Sequence, residues 1–281
     1  MFELEFMRLA AVAGAAAALT LSLLGVYVVL KRVVFVGLAL ANLATLGAAT
    51  ALALHWPVEL TAMVAALAGA AALALLATPR RVPPESLVGW VYAASAALTV
   101  LLIARSAGAD NDAMRLLYGN VLAVTRGEVA LLLGVAVAVL ALHVVFAKRF
   151  VLVVFDPDAA RAAGIAATAW TLLLYLTIGG ATAAAVHETG ALLAFALITL
   201  PAMSALLVTR GIRATFVTAA AIAVTCTTAG LVLSFMLDMP AGPFTVALLA
   251  ATVPIAALAD RLRRPLTSGR RRGGAPPSAS P

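Results

Sequence analysis

The chain has 281 residues, of which 64% are hydrophobic and 11% charged, with a formal net charge of +7 and a mean hydropathy of +1.10. So apolar a composition leaves too little polar surface to clothe a soluble core, which excludes a separate soluble domain. The positive charge is not the footprint of a nucleic-acid binder, because most of it is gathered at joints between long apolar segments.

Taken in chain order, nine helical spans are predicted, over residues 7–30, 33–54, 59–78, 86–104, 128–146, 166–186, 189–208, 214–236 and 243–259. A bilayer core of about 30 Å needs about 20 apolar residues per helix, and backbone groups in lipid are satisfied only in helices or closed barrels. The alternating pattern of a barrel strand is absent. The fold class is therefore all-α, a polytopic transmembrane bundle of eight to nine spans, the sixth and seventh being separated by almost no loop. Basic residues mark every second joint: Lys31-Arg32, Arg80-Arg81, Lys148-Arg149, Arg210 with Arg213, and Arg261 with Arg263-Arg264. Acidic residues mark the others: Glu3 and Glu5, Glu59, Asp110 and Asp112, Glu188, and Asp238. Cytoplasmic loops accumulate Lys and Arg, so nine crossings put the amino terminus outside and the carboxyl terminus in the cytoplasm. Anionic lipid headgroups would face the basic joints.

The first span follows acidic residues and lacks a small-residue cleavage site, so it reads as a retained helix. Runs of Ala at 13–18, 65–72 and 181–185 predict close helix contacts. Residues 1–264 form one membrane domain, and 265–281, with Arg270-Arg271-Arg272 followed by Gly, Pro and Ser, read as a disordered basic tail. The single cysteine, Cys226, has no intrachain disulfide partner.

Two joints are more than turns. Between Ser106 and Gly127, the run Leu116-Leu117-Tyr118-Gly119-Asn120-Val121-Leu122 is too short to span and too apolar for a loop, which predicts a short interfacial helix. Between Lys148 and Ile165, Asp156 before Pro157 is a helix start, Asp158 falls in the first turn and Gly164 is a stop. One short helix is therefore expected in that stretch, available to a partner.

The stretches 24–32, 117–124, 155–165 and 190–202, followed by Leu237-Asp238-Met239-Pro240-Ala241-Gly242-Pro243, resemble, in order, those of the permease subunits of bacterial ATP-binding-cassette importers for zinc, manganese and iron. The resemblance implies a type II importer-like, homodimeric permease in the bacterial cytoplasmic membrane. A cytoplasmic ATPase subunit would dock below and an extracytoplasmic metal-binding protein would deliver from above. It implies that the segment holding Asp156, Asp158, Ala160, Arg161 and Gly164 couples to the ATPase. Members of that family usually carry a Gly-Asp-x-x-x-His-like pattern in the second span. Here the two ligand positions are Leu38 and Asn42, so no metal site is carried over. Asn offers only a neutral oxygen in place of imidazole.

Among the remaining candidates, His187 and Glu188 are both able to bind a divalent cation at the turn between spans six and seven. Adjacent residues do not share a helix face and no third ligand is evident, so a solvated turn is the competing reading. Asn42 reads equally as a lining residue of the substrate path or as a hydrogen-bonding contact between helices. His143 reads as an interfacial or packing residue and His55 as an interface residue beside Trp56. Pro201 and Pro254 fall within spans and predict kinks that free carbonyls. No Walker-type glycine loop is present, so the chain is expected not to be an enzyme and to need no cofactor. The rivals are a diverged permease for a non-metal substrate and a secondary transporter, which would ordinarily show buried carboxylates.

Overall fold

The computed structural model describes residues 5–76, 83–104 and 125–263. The expected interfacial helix at 116–122 and the tail at 265–281 lie outside these residues. Among the described residues there are ten helices and no strand: α1 (Glu5–Leu30), α2 (Val36–Leu54), α3 (Val58–Leu76), α4 (Pro84–Ile103), α5 (Arg126–Val145), α6 (Ala147–Phe155), α7 (Pro157–Ala162), α8 (Ala167–Val208), α9 (Ile212–Met236) and α10 (Ala241–Arg263). Eight of them, all but α6 and α7, are long and apolar enough to cross a membrane.

The 42 residues of α8 would make a rod of about 60 Å if straight. They do not. Trp170 near its start packs on Phe150, which packs on Tyr27 of α1. Ala202 and Ala205 near its end cluster with Val26 of the same turn of α1. Both ends of α8 therefore lie beside the last turns of α1, and the chain doubles back at Gly190, whose φ of 76° and ψ of 160° depart from the helix. That backbone region belongs almost solely to glycine. Each half is long enough to cross, so the eight apolar helices supply nine segments. The expected kink at Pro201 is not where the chain breaks: Pro201 and Pro254 stay inside helices, and the only non-helical residue of α8 is Gly190.

Alanine and glycine set the spacing. A Cβ added at Gly25 would overlap the Ile198 carbonyl, so α1 and the second half of α8 touch backbone to backbone. A Cβ at Gly47 would lie 2.6 Å from the Thr61 carbonyl oxygen, so α2 also packs closely on α3. Such approaches give dispersion contacts that lipid cannot supply. Helices α1, α2 and α8 are the buried spine, while α3, α4, α5, α9 and α10 turn apolar faces outward, among them Val64, Val100, Val144 and Ile255.

One end of the bundle is basic. There Arg149 lies over the rings of Phe146 and Trp170, and Arg263 donates to the Val208 carbonyl at 3.4 Å. The opposite end carries the first turns of α3 and α5 and the fold of α8, with Glu59, Glu128 and Glu188.

Candidate functional site

At the basic end, the stretch expected to hold one short helix holds two. The unforeseen one, α6, buries Phe150, Val153 and Val154, at i, i+3 and i+4. Phe150 stacks on His143 with ring centroids 4.3 Å apart, and Tyr27 and Trp170 complete the cluster. His143 is thus a buried packing residue whose Nδ1 meets the Val139 carbonyl oxygen at 2.9 Å.

Helix α7 is short but fixed at both ends. The Asp156 Oδ1 accepts from the backbone N–H of Asp158 at 3.1 Å and of Ala159 at 2.9 Å, and Pro157 occupies the first helical position. Arg161 pairs with Asp158 one turn away. At the other end Gly164, at φ 75°, donates to the Arg161 carbonyl, and Ile165 donates to that of Ala160. This pair of bonds is a Schellman closure, which satisfies carbonyls a six-residue helix would otherwise leave open. Ala160 is fully buried against Val153 of α6 and Ala167 of α8. Asp158, Arg161 and Gly164 face outward beside an exposed Phe155. The helix is therefore keyed into the foot of α8 by one small side chain and presents a charged surface to whatever lies below.

At the acidic end, α2, α3, α5 and α8 surround a small cleft walled by Ala44, Ala48, Met63 and Ala183. Glu59, Glu128, His187 and Glu188 are its polar lining. His187 and Glu188 sit just before the break at Gly190, His187 exposed and Glu188 only 5% exposed. Glu128 reaches them from α5. Its Oε2 accepts from the Thr125 N–H at 2.6 Å while the Thr125 hydroxyl accepts from the Glu128 N–H at 3.3 Å, a reciprocal cap on the helix start. The other oxygen, Oε1, faces His187 Nε2 at 3.7 Å. One ligand atom from each of Glu128, His187 and Glu188 lies within 4.8 Å of the others.

The structure therefore gathers His187 and Glu188 with Glu128, a residue that sequence reasoning treated only as the start of a span. Its signal was the Thr125-x-x-Glu128 spacing. Asn42 is not part of this cleft lining; its Nδ2 donates to the Leu38 carbonyl oxygen at 3.0 Å, one turn back on α2.

The sequence profile of the ABC 3 transport family matches residues 3–260. The manganese transport system membrane protein MntC of Halalkalibacterium halodurans is 28% identical over 230 residues, covering 82% of this chain and 78% of that protein. The chelated iron transport system membrane protein YfeD of Yersinia pestis is 26% identical over 262 residues, covering 93% and 88%. Among solved structures, PsaBC from Streptococcus pneumoniae in complex with Fab superposes with a TM-score of 0.81 at 21% identity, covering 92% of this chain and 96% of that one, a likeness of fold.

Proposed function

This chain belongs to the ABC 3 transport family, and from that premise we propose that it is the permease subunit of an ATP-driven importer whose cargo is a divalent transition-metal ion. The transport systems to which its relatives belong, for manganese and for chelated iron, support that cargo class. The basic end of the bundle faces the cytoplasm, as Lys- and Arg-rich joints do, so the amino terminus is outside and the carboxyl terminus inside. A separate ATPase subunit hydrolyses ATP below, a binding protein delivers metal at the acidic end, and two copies of the chain enclose the path.

The observation that carries this reading is α7. A six-residue helix has little intrinsic stability, yet this one is capped at both ends and seated by Ala160 against α6 and α8. That construction suits a part that is pushed. A displacement of α7 by the ATPase is delivered to the foot of α8, whose fold at the far end holds His187 and Glu188. Rocking α8 alternately opens the two ends of the path, the usual logic of alternating access. Leu38 and Asn42, standing where metal ligands are expected on α2, favour as a second reading a permease for a non-metal cargo.

The test is accumulation of zinc, manganese and iron in cells lacking their own importers, expressing the chain with its ATPase and binding protein, with and without Arg161→Glu. Uptake of one metal that disappears in the variant supports the reading. No uptake from an assembled complex contradicts it.

A further inference from the structure

We infer that Glu128, His187 and Glu188 form an exchangeable binding site for a divalent transition-metal ion at the acidic end of the bundle, in place of the α2 ligand pair this chain lacks. The inference deepens the importer reading and rests on it only for the direction of flow; the site itself stands on the geometry of the cleft.

Glu188 is the starting point. A carboxylate that is more than nine-tenths buried at the wall of a cleft needs a positive partner or a full set of donors. No lysine or arginine lines this cleft among the described residues, and the side-chain partner of Glu188 is the carboxylate of Glu128. Two carboxylates in contact are held together by a shared proton or by a cation between them. A metal ion placed there gains the imidazole of His187 as a third ligand.

The spacing suits that ion. Bonds of about 2.1 Å from a metal to nitrogen and oxygen put ligand atoms roughly 3–4 Å apart. His187 Nε2 and Glu128 Oε1 stand at 3.7 Å, and the full set lies within 4.8 Å, so side-chain rotation alone closes it. The two oxygens of Glu128 divide the labour: Oε2 is held by the helix cap, which leaves Oε1 aimed at the cleft.

The donor set selects the ion class. One imidazole with carboxylates favours manganese, iron or zinc over magnesium and calcium, which prefer all-oxygen shells. Three protein ligands leave further positions for water or for a ligand of the delivering protein, the open pattern of an exchanging site rather than a structural one. Because Glu128 belongs to α5 and the other two to the fold of α8, an ion there also joins two elements of the bundle.

The purified full-length chain in lipid nanodiscs is titrated with Mn²⁺ and, separately, Mg²⁺, reading free Mn²⁺ by its electron paramagnetic resonance signal. Glu188→Gln, Glu128→Gln and His187→Ala are compared with the wild type and with Asn42→Ala. Glu128→Gln retains the reciprocal cap, since Gln serves at that position, so it isolates loss of the ligand. The wild type is expected to bind Mn²⁺ with Mg²⁺ a poor competitor. Each of the three variants should weaken binding by at least the roughly ten- to hundredfold that even the supporting partners of metal ligands are worth, with Asn42→Ala unchanged. Absence of Mn²⁺ binding by the wild type, or equal binding by the three variants, overturns the site whatever cellular uptake shows. Binding lost in the variants upholds the site even where the assembled complex takes up no metal, a result that would sink the importer reading alone.

Discussion

His187 Nε2 and Glu128 Oε1 lie 3.7 Å apart and bridge α5 to the fold of α8. Glu128 thus has two separable duties, capping its own helix and facing the cleft. Glu128→Ala removes both and is expected to cost about 1 kcal/mol of stability from the lost cap. Glu128→Gln should leave thermal stability near the wild type. Equal losses for the two variants in a detergent melting experiment would show that the cap is not what Glu128 contributes to folding.

Gly190 takes a backbone conformation, φ 76° and ψ 160°, that only glycine occupies without strain. Gly190→Ala is expected to cost roughly 1–3 kcal/mol and to lower the yield of folded protein, because it acts on the residue that turns 42 helical residues into two crossings. Gly180→Ala is the control, since its Cβ would meet only ordinary contacts, the nearest at 3.7 Å on Leu67. A Gly190→Ala protein as stable as that control would contradict the fold assigned to α8.

Gly25 marks the tightest approach in the bundle, with the Ile198 carbonyl in the space of its missing side chain. Even one methyl group must push α1 and α8 apart, so Gly25→Ala should destabilise by ~2 kcal/mol or more. Gly134→Ala, where a Cβ meets nothing within 4 Å, should be neutral. Indistinguishable melting temperatures for the two would mean that α1 and α8 do not touch at that level.

Asp156 holds the start of α7 through two backbone N–H groups. Asp156→Ala is expected to lose about 1 kcal/mol of cap energy, and for a six-residue helix that is enough to unravel it. Co-purification with the partner ATPase should fall sharply, while Asp156→Asn, which also caps, should retain it. Undiminished capture by the alanine variant would show that the ATPase does not read a formed α7.

Most of the bundle was legible from blocks of hydropathy, because a lipid-facing helix must be apolar over its whole length. The ends of α7 were legible too, since Asp156, Pro157 and Gly164 each have a specific mechanical use at a helix terminus. Helix α6 was not: Phe150, Val153 and Val154 lie among further apolar residues, and nine residues are too few for a helical period to stand out beside Lys148 and Arg149. The turn in α8 was placed at His187 and Glu188, but it falls at Gly190 because backbone strain, not polarity, decides where the chain can reverse. Glu128 escaped notice for a related reason. Its importance comes from what α8 brings beside it, a relation between residues some sixty positions apart that no local pattern encodes.

ATP-driven metal import is tested by reconstituting the chain with its ATPase and binding protein in proteoliposomes and following Mn²⁺ and Zn²⁺ entry with and without ATP. ATP-dependent entry of at least one of these ions is expected, abolished by Arg161→Glu and strongly reduced by Glu188→Gln. Entry that is independent of ATP, or none at all from a complex that hydrolyses ATP, would contradict it.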